Sequence, residues 1–273
     1  IDSARYLDGA RSGRRSGVGY SVQSNWRIRH TARTQIGSRE SMYKLRWEYI
    51  TNNKELFIDG LLLGLKMAIL GLIIGTVLGL LLAFARQYGP RPLRWVVTAY
   101  VELIRNIPLL LIVSLLYFGL PQVFPRRSTG QEWVLKILPD AETTFIVALA
   151  IYAAAYLAEI FSAGIVSVGK RYLEAGRSLG LSRTQTAVSI TLPIMLRTVL
   201  PSLGNTFIGL FKDTSIAVAI AAPELTWAAR KISTDYFRYI EAWATAGVIY
   251  LLTCYAIAIG LRLIERRIKW TVA

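Results

Sequence analysis

Apolar residues fall into five stretches separated by polar, proline-containing breaks. The stretches lie roughly at 60–85, 97–120, 143–168, 198–222 and 242–262. Each is about 20 residues long, enough to cross the hydrocarbon core of a bilayer. Backbone groups in lipid must be satisfied internally, so each stretch is predicted to be a helix. The expected fold is an all-α membrane protein of about five transmembrane helices. The first stretch is nearly all Leu, Ile, Gly and Ala, with Lys66 its only charge. Pro90 and Pro92 break the chain after it, and Pro121 and Pro125 follow the second. Pro193 and Pro201 bracket the entry to the fourth, and Pro223 ends it.

The polar intervals set an orientation. The loop at 86–94 carries Arg86, Arg91 and Arg94 and no acid. The interval 169–197 sets Lys170, Arg171, Arg177, Arg183 and Arg197 against Glu174 alone, and the last residues set Arg262, Arg266, Arg267 and Lys269 against Glu265. The intervals 121–142 and 223–241 are balanced, three basic residues against three acidic in each. Alternate loops are therefore basic, and the positive-inside rule puts them in the cytoplasm. The C-terminus is then cytoplasmic, and five spans put the N-terminus outside.

Residues 1–41 conflict with that orientation, with eight Arg against three acids. They hold no Lys and no apolar run, and their Ser, Gly and Arg content is that of a disordered segment. The expectation is a basic extension that is not native, with the natural chain starting at Met42; a genuine basic arm is the alternative. Residues 42–59 follow as an extracytoplasmic segment, 60–265 as the transmembrane domain and 266–273 as a cytoplasmic tail.

Composition narrows the function. The chain of 273 residues is 53% hydrophobic with a net charge of +15. In a soluble protein that charge would suggest nucleic acid. Here much of the excess flanks predicted spans, where topology and anionic headgroups account for it, so no nucleic-acid partner is expected. One Cys (Cys254) and one His (His30) leave no transition-metal cluster. Gly164 to Lys170 reads as the start of a phosphate-binding loop, but Arg171 stands where Ser or Thr would hold magnesium, and no strand precedes it. No Ser/His/Asp or paired-carboxylate arrangement is present, and the only His lies in the basic extension.

The interval 172–193 has an internal design. Residues from Glu174 can form a short helix ended by Gly180, the favoured residue just past a helix. Ser182 with Gln185 fits a capping box that starts a second helix, and Pro193 limits that helix. The product is a helix–turn–helix elbow in the cytoplasm with a small knob around Leu179–Ser182. Glu174 could anchor it through Arg177 or through a partner's Arg. Spacing alone leaves two readings open, a docking knob or an interfacial amphipathic helix.

The spacing Glu174-Ala175-Gly176, three residues, Gly180, nine residues, Ile190-x-Leu192-Pro193 resembles the loop by which permeases of ATP-binding-cassette importers grip their ATPase. Gly176 departs from the usual second Ala. Residues 100–110 (YVELIRNIPLL), 155–161 (AYLAEIF) and 210–215 (LFKDTS), followed by Pro223-Glu224-Leu225, resemble the polar amino-acid branch of that class. Asn106-Ile107 departs from the branch's frequent Gly-Thr, and Ser162 from a common basic residue. The resemblance implies a type I importer permease fold. It also implies a cytoplasmic ATPase dimer, a second permease subunit, a solute-binding protein outside, and residence in a bacterial inner membrane. ATP and magnesium would lie on the ATPase, with no cofactor on this chain. Glu174, Ala175, Gly176, Leu179, Gly180, Leu181, Ser182 and Pro193 would make the coupling contact. Polar or charged amino acids would be the cargo.

Charges within spans are costly in lipid and are candidates for function. Glu102 and Arg105, three apart, can pair as a structural pair or gate latch. Glu159 could bind a substrate ammonium or tie helices together. Lys212 and Asp213 point about 100° apart on a helix and need partners elsewhere; with Asn205, Thr214 and Ser215 they make the fourth span the most polar and a candidate pathway lining. Lys66 can snorkel to the outer headgroups. Gly60, Gly64, Gly71, Gly75 and Gly79 make a smooth strip for close helix approach, within the chain or at a dimer interface. An ion-coupled transporter or channel using Glu159, Lys212 and Asp213 is the alternative function, and a membrane-anchored scaffold a third.

Overall fold

The computed structural model describes residues 43–123 and 140–270. Residues 1–41, most of the interval 121–142 and the last three residues of the predicted tail lie outside the described residues. The described chain is helical throughout. It opens with α1 (Glu48–Asn52) and α2 (Lys54–Tyr88), then α3 (Arg91–Asn106) and α4 (Leu109–Ser114). A π turn (Leu115–Gly119) leads from α4 to α5 (Leu120–Val123). Next come α6 (Ala141–Ser167), α7 (Lys170–Ser178) and α8 (Arg183–Thr186). A second π turn (Ala187–Thr191) joins α8 to α9 (Leu192–Asp213), which continues as a 3₁₀ segment (Thr214–Ile220). The chain closes with α10 (Leu225–Tyr236) and α11 (Tyr239–Trp270). Among the described residues four helical runs are long and apolar enough to cross a membrane, or five if the bent pair α3 and α4–α5 counts as one.

The centre is the pairing of α2 with α6. The glycine strip of α2 divides its work. A methyl group at Gly75 would lie 2.7 Å from Ala153 Cβ, and one at Gly79 would lie 2.8 Å from Leu157 Cβ. Gly71 faces Leu149 in the same way. On α6 the buried Ala150, Ala153, Ala154 and Ala158 complete a small-residue seam. Close approach of two such faces gains dispersion contacts that larger side chains would block. Gly60 lies against the backbone of Glu224 and Leu225, and Gly64 against Thr214. All five glycines therefore serve packing within the chain. Lys66 does not reach for headgroups alone: its Nζ lies 2.6 Å from Glu142 at the start of α6.

The predicted loop 223–241 is largely helix. Glu224 is fully buried and caps α10. It accepts from the N–H groups of Thr226 (2.7 Å) and Trp227 (2.9 Å) and from the Tyr250 hydroxyl (2.9 Å). Burial pushes its carboxyl up, and the three hydrogen bonds oppose that by holding the charged form. Leu225, Ala228, Ala229 and Ile232 of α10 pack on Phe57 of α2 and on Ala242 and Ala246 of α11. A second buried carboxylate, Glu241, accepts from the Arg46 backbone N–H at 2.9 Å.

Two expectations need correction. The stretch 97–120 is not one straight span: it bends by 102° between Asn106 and Leu109. Pro108 lacks an N–H and excludes helical geometry from the residue before it, and Ile107 is extended at φ −101°, ψ 129°. Nor does Pro193 end the second elbow helix. The run continues from Arg183 to Ile220, through Pro193 and Pro201. The wider π turn explains the first: the Leu192 N–H reaches back five residues to the Ala187 carbonyl. The backbone ladder has already shifted where Pro193 removes a donor.

Candidate functional site

The elbow forms as the local pattern predicts. Gly180 ends α7 in the left-handed region, φ +77°. Its N–H donates to the Arg177 carbonyl (2.9 Å), and the Leu181 N–H to the Gly176 carbonyl (3.0 Å). These are the two bonds of a Schellman ending. The Ser182 hydroxyl accepts from the Gln185 N–H at 3.3 Å, and the Gln185 side chain accepts from the Ser182 N–H at 2.8 Å, closing the capping box. Gly176 is the one buried residue of α7, with Ile190 and Thr186 of the returning arm above it. The arms cross closely because Gly176 carries no side chain. Glu174, Ala175, Leu179 and Ser182 are exposed, Leu179 at 79%. Glu174 makes no ion pair with Arg177 among the described residues. The elbow thus presents an apolar knob at its tip and, on its first arm, a carboxylate with no ion pair among the described residues.

The pathway candidates separate on folding. A cavity of about 190 Å³ opens between α6 and α9, lined by Tyr152, Tyr156, Thr206, Gly209 and Asp213. The two tyrosine rings sit 4.7 Å apart. Asp213 faces this cavity, whereas Lys212 and Asn205 are exposed, seven positions apart on one face of α9. Thr214 lies away from it: its hydroxyl is buried against Gly64 and donates to the Phe211 carbonyl at 2.7 Å. Ser215 is half-buried on the 3₁₀ segment and is absent from the cavity lining.

Glu159 is not a free anion. Its Oε2 accepts from Arg86 at 2.9 Å and lies 3.4 Å from Arg105. Arg105 therefore reaches Glu159 on another helix rather than Glu102 on its own; Glu102 is exposed. The Arg105 guanidinium also sits 5.5 Å from the centre of the Tyr156 ring, a cation–π distance. A charged knot joining α2, α3 and α6 thus touches the wall of the cavity. Sequence reading missed Arg86, Tyr152, Tyr156 and Thr206. One signal was available, because Tyr152, Tyr156 and Glu159 follow the spacing of a single helix face.

Residues 75–270 match the family of binding-protein-dependent transport system inner membrane components. The glutamine transport system permease protein GlnP of Escherichia coli (strain K12) is 37% identical over 223 residues, covering 82% of this chain and 97% of its own length. The probable glutamine ABC transporter permease protein GlnM of Bacillus subtilis (strain 168) is 35% identical over 218 residues, 80% of this chain and 95% of that protein. A crystal structure of an amino acid ABC transporter with histidines superposes with a TM-score of 0.73 at 32% identity, covering 82% of this chain and 100% of that one. The inward-facing MetNI methionine ABC transporter shares the fold, with a TM-score of 0.61 at 21% identity over 78% of this chain and 96% of that one. The helices adopt the type I importer permease fold, and the chain belongs to the binding-protein-dependent transport system inner membrane component family.

Proposed function

We propose that this chain moves amino acids inward across the membrane, powered by a separate ATPase that grips the elbow. The observation that carries this reading is the elbow itself: a Schellman ending and a capping box present Leu179 and Glu174 to the outside, with no ion pair to Glu174 among the described residues. ATP and magnesium belong to the ATPase, and a solute-binding protein delivers cargo from outside. A second permease, a copy or a relative, covers part of the exposed apolar surface. The elbow and C-terminus face the cytoplasm, as the basic loops require.

Asp213 and the tyrosine pair supply a carboxylate and aromatic faces, groups that suit the ammonium of an amino acid. The Glu159–Arg86–Arg105 knot is the seal beside that cavity. ATP-driven closure pulls the elbows together, shifts α9 against α6 and breaks or remakes the knot. Affinity for the two faces of the membrane then alternates with nucleotide state.

The test is a site-specific crosslink from Leu179→Cys in the assembled transporter. Capture of the nucleotide-hydrolysing subunit, changing with ATP, is the expected outcome. A crosslinker that reaches only lipid or solvent overturns the reading. Uptake that persists without nucleotide would instead support an ion-coupled carrier.

A further inference from the structure

A second cavity, about 520 Å³, lies between the end of α2, the start of α3 and the two arms of the elbow. Arg94, Arg177 and Arg183 line it from three different elements, and no carboxylate is among its lining residues. Arg94 is held by its own bond, Nε donating to the Gly89 carbonyl at 2.9 Å. Arg177 and Arg183 have no ion pair among the described residues. Three like charges gathered without a counter-charge repel one another. An anion between them would convert that repulsion into charge-assisted hydrogen bonds, and guanidinium groups match phosphate oxygens in geometry.

The rest of the wall shows what carries the phosphate. Phe84 and Tyr88, the last aromatic residues of α2, stand on one side with Leu173 nearby. A wall that is cationic at one part and apolar at another fits an amphiphile better than a free ion. Of the residues expected at the ATPase contact only Leu181 lines the cavity, and Glu174, Leu179 and Ser182 do not, so the two surfaces adjoin at Leu181 and are otherwise separate.

We infer that this cavity binds the phosphate headgroup of an anionic phospholipid from the cytoplasmic leaflet, with an acyl chain against Phe84 and Tyr88. The leaflet assignment rests on the proposed orientation of the elbow. A lipid held there ties the end of the first span to the moving arm, so its presence tunes how firmly the elbow is coupled to the bundle.

The experiment is native mass spectrometry of the assembled transporter purified from bilayers containing phosphatidylglycerol and phosphatidylcholine. The wild-type complex is expected to retain phosphatidylglycerol on this subunit. The double variant Arg177→Gln/Arg183→Gln is expected to lose most of it, and Arg177→Lys/Arg183→Lys to keep an intermediate amount. Equal retention by wild type and the Gln variant overturns the inference. Release of the lipid by millimolar inorganic phosphate, with phosphate taking its place, would assign the site to a free anion and overturn the lipid assignment. Arg94→Gln is the second variant should the double one fail to assemble; unchanged retention in it counts against the site. Retained lipid is read without transport or ATP hydrolysis, so a negative result here is separate from failure of the elbow to crosslink to the ATPase.

Discussion

In the elbow, the bonds that set the shape join residues only a few positions apart, from Gly176 to Leu181 and from Ser182 to Gln185. In the membrane cavity and its charged knot, the joined residues stand 51 to 73 positions apart: Arg105 with Tyr156 and Arg86 with Glu159. The elbow is a rigid local object that can be moved as a unit. The knot is held by side chains from three helices, and any shift between those helices alters it. The proposed mechanism calls for both, a handle that keeps its shape and a seal that does not.

The largest expected effect breaks the handle. Valine at Gly180 must enter left-handed geometry at about 1–2 kcal/mol or more, because Cβ crowds the next carbonyl. Gly180→Val is expected to cut ATP-driven uptake about tenfold or more while helix content stays unchanged by circular dichroism. Wild-type uptake in that variant would detach the turn from coupling.

Asp213→Asn removes the charge from the membrane cavity. The loss expected is about 1.5–3 kcal/mol of a charge-assisted contact, read as a raised KM for an amino-acid substrate with assembly unchanged. An unaltered KM would leave Asp213 a packing residue and weaken the contrast between the two regions.

The cavity wall in turn rests on the α2–α6 seam, because Ala153 belongs to both. Gly75→Ala sets two methyl groups in conflict across it and is expected to cost about 1–3 kcal/mol, measured as a lower Tm in detergent. Ala153→Gly in the same chain should restore most of it. If Gly75→Ala leaves Tm unchanged, the seam is looser than 2.7 Å implies.

The smallest effect sharpens the elbow's internal logic. A methyl at Gly176 would crowd the flexible end of Ile190, at 2.7 Å, and meet Thr186 at an ordinary contact distance of 3.5 Å. Gly176→Ala is therefore expected to cost less than about 0.5 kcal/mol and leave uptake near wild type. Two glycines four positions apart then differ because one needs its φ and the other only needs room.

The failures of sequence reading have particular causes. Pro108 stood inside an apolar run, and hydropathy averaged over its break; the restriction it places on Ile107 bends the chain. Pro193 read as a stop, yet the π turn before it carries the helix onward. Glu102 and Arg105 had the spacing of a pair, but a carboxylate on another helix lay nearer to the guanidinium. The glycine strip was visible as a periodicity, and its partner, the alanine face of α6, became identifiable only when the two helices met.

The sequence by itself determined the helical class, the apolar stretches, the basic loops and the elbow, because period, charge and capping act over one or two turns of chain. Only the tertiary structure decided which charges meet, which polar residues face the cavity, and that Thr214 is buried while its neighbour Asp213 is not. Those outcomes depend on the distance and rotation between helices, and these are fixed by the close packing of Gly71, Gly75 and Gly79 against α6.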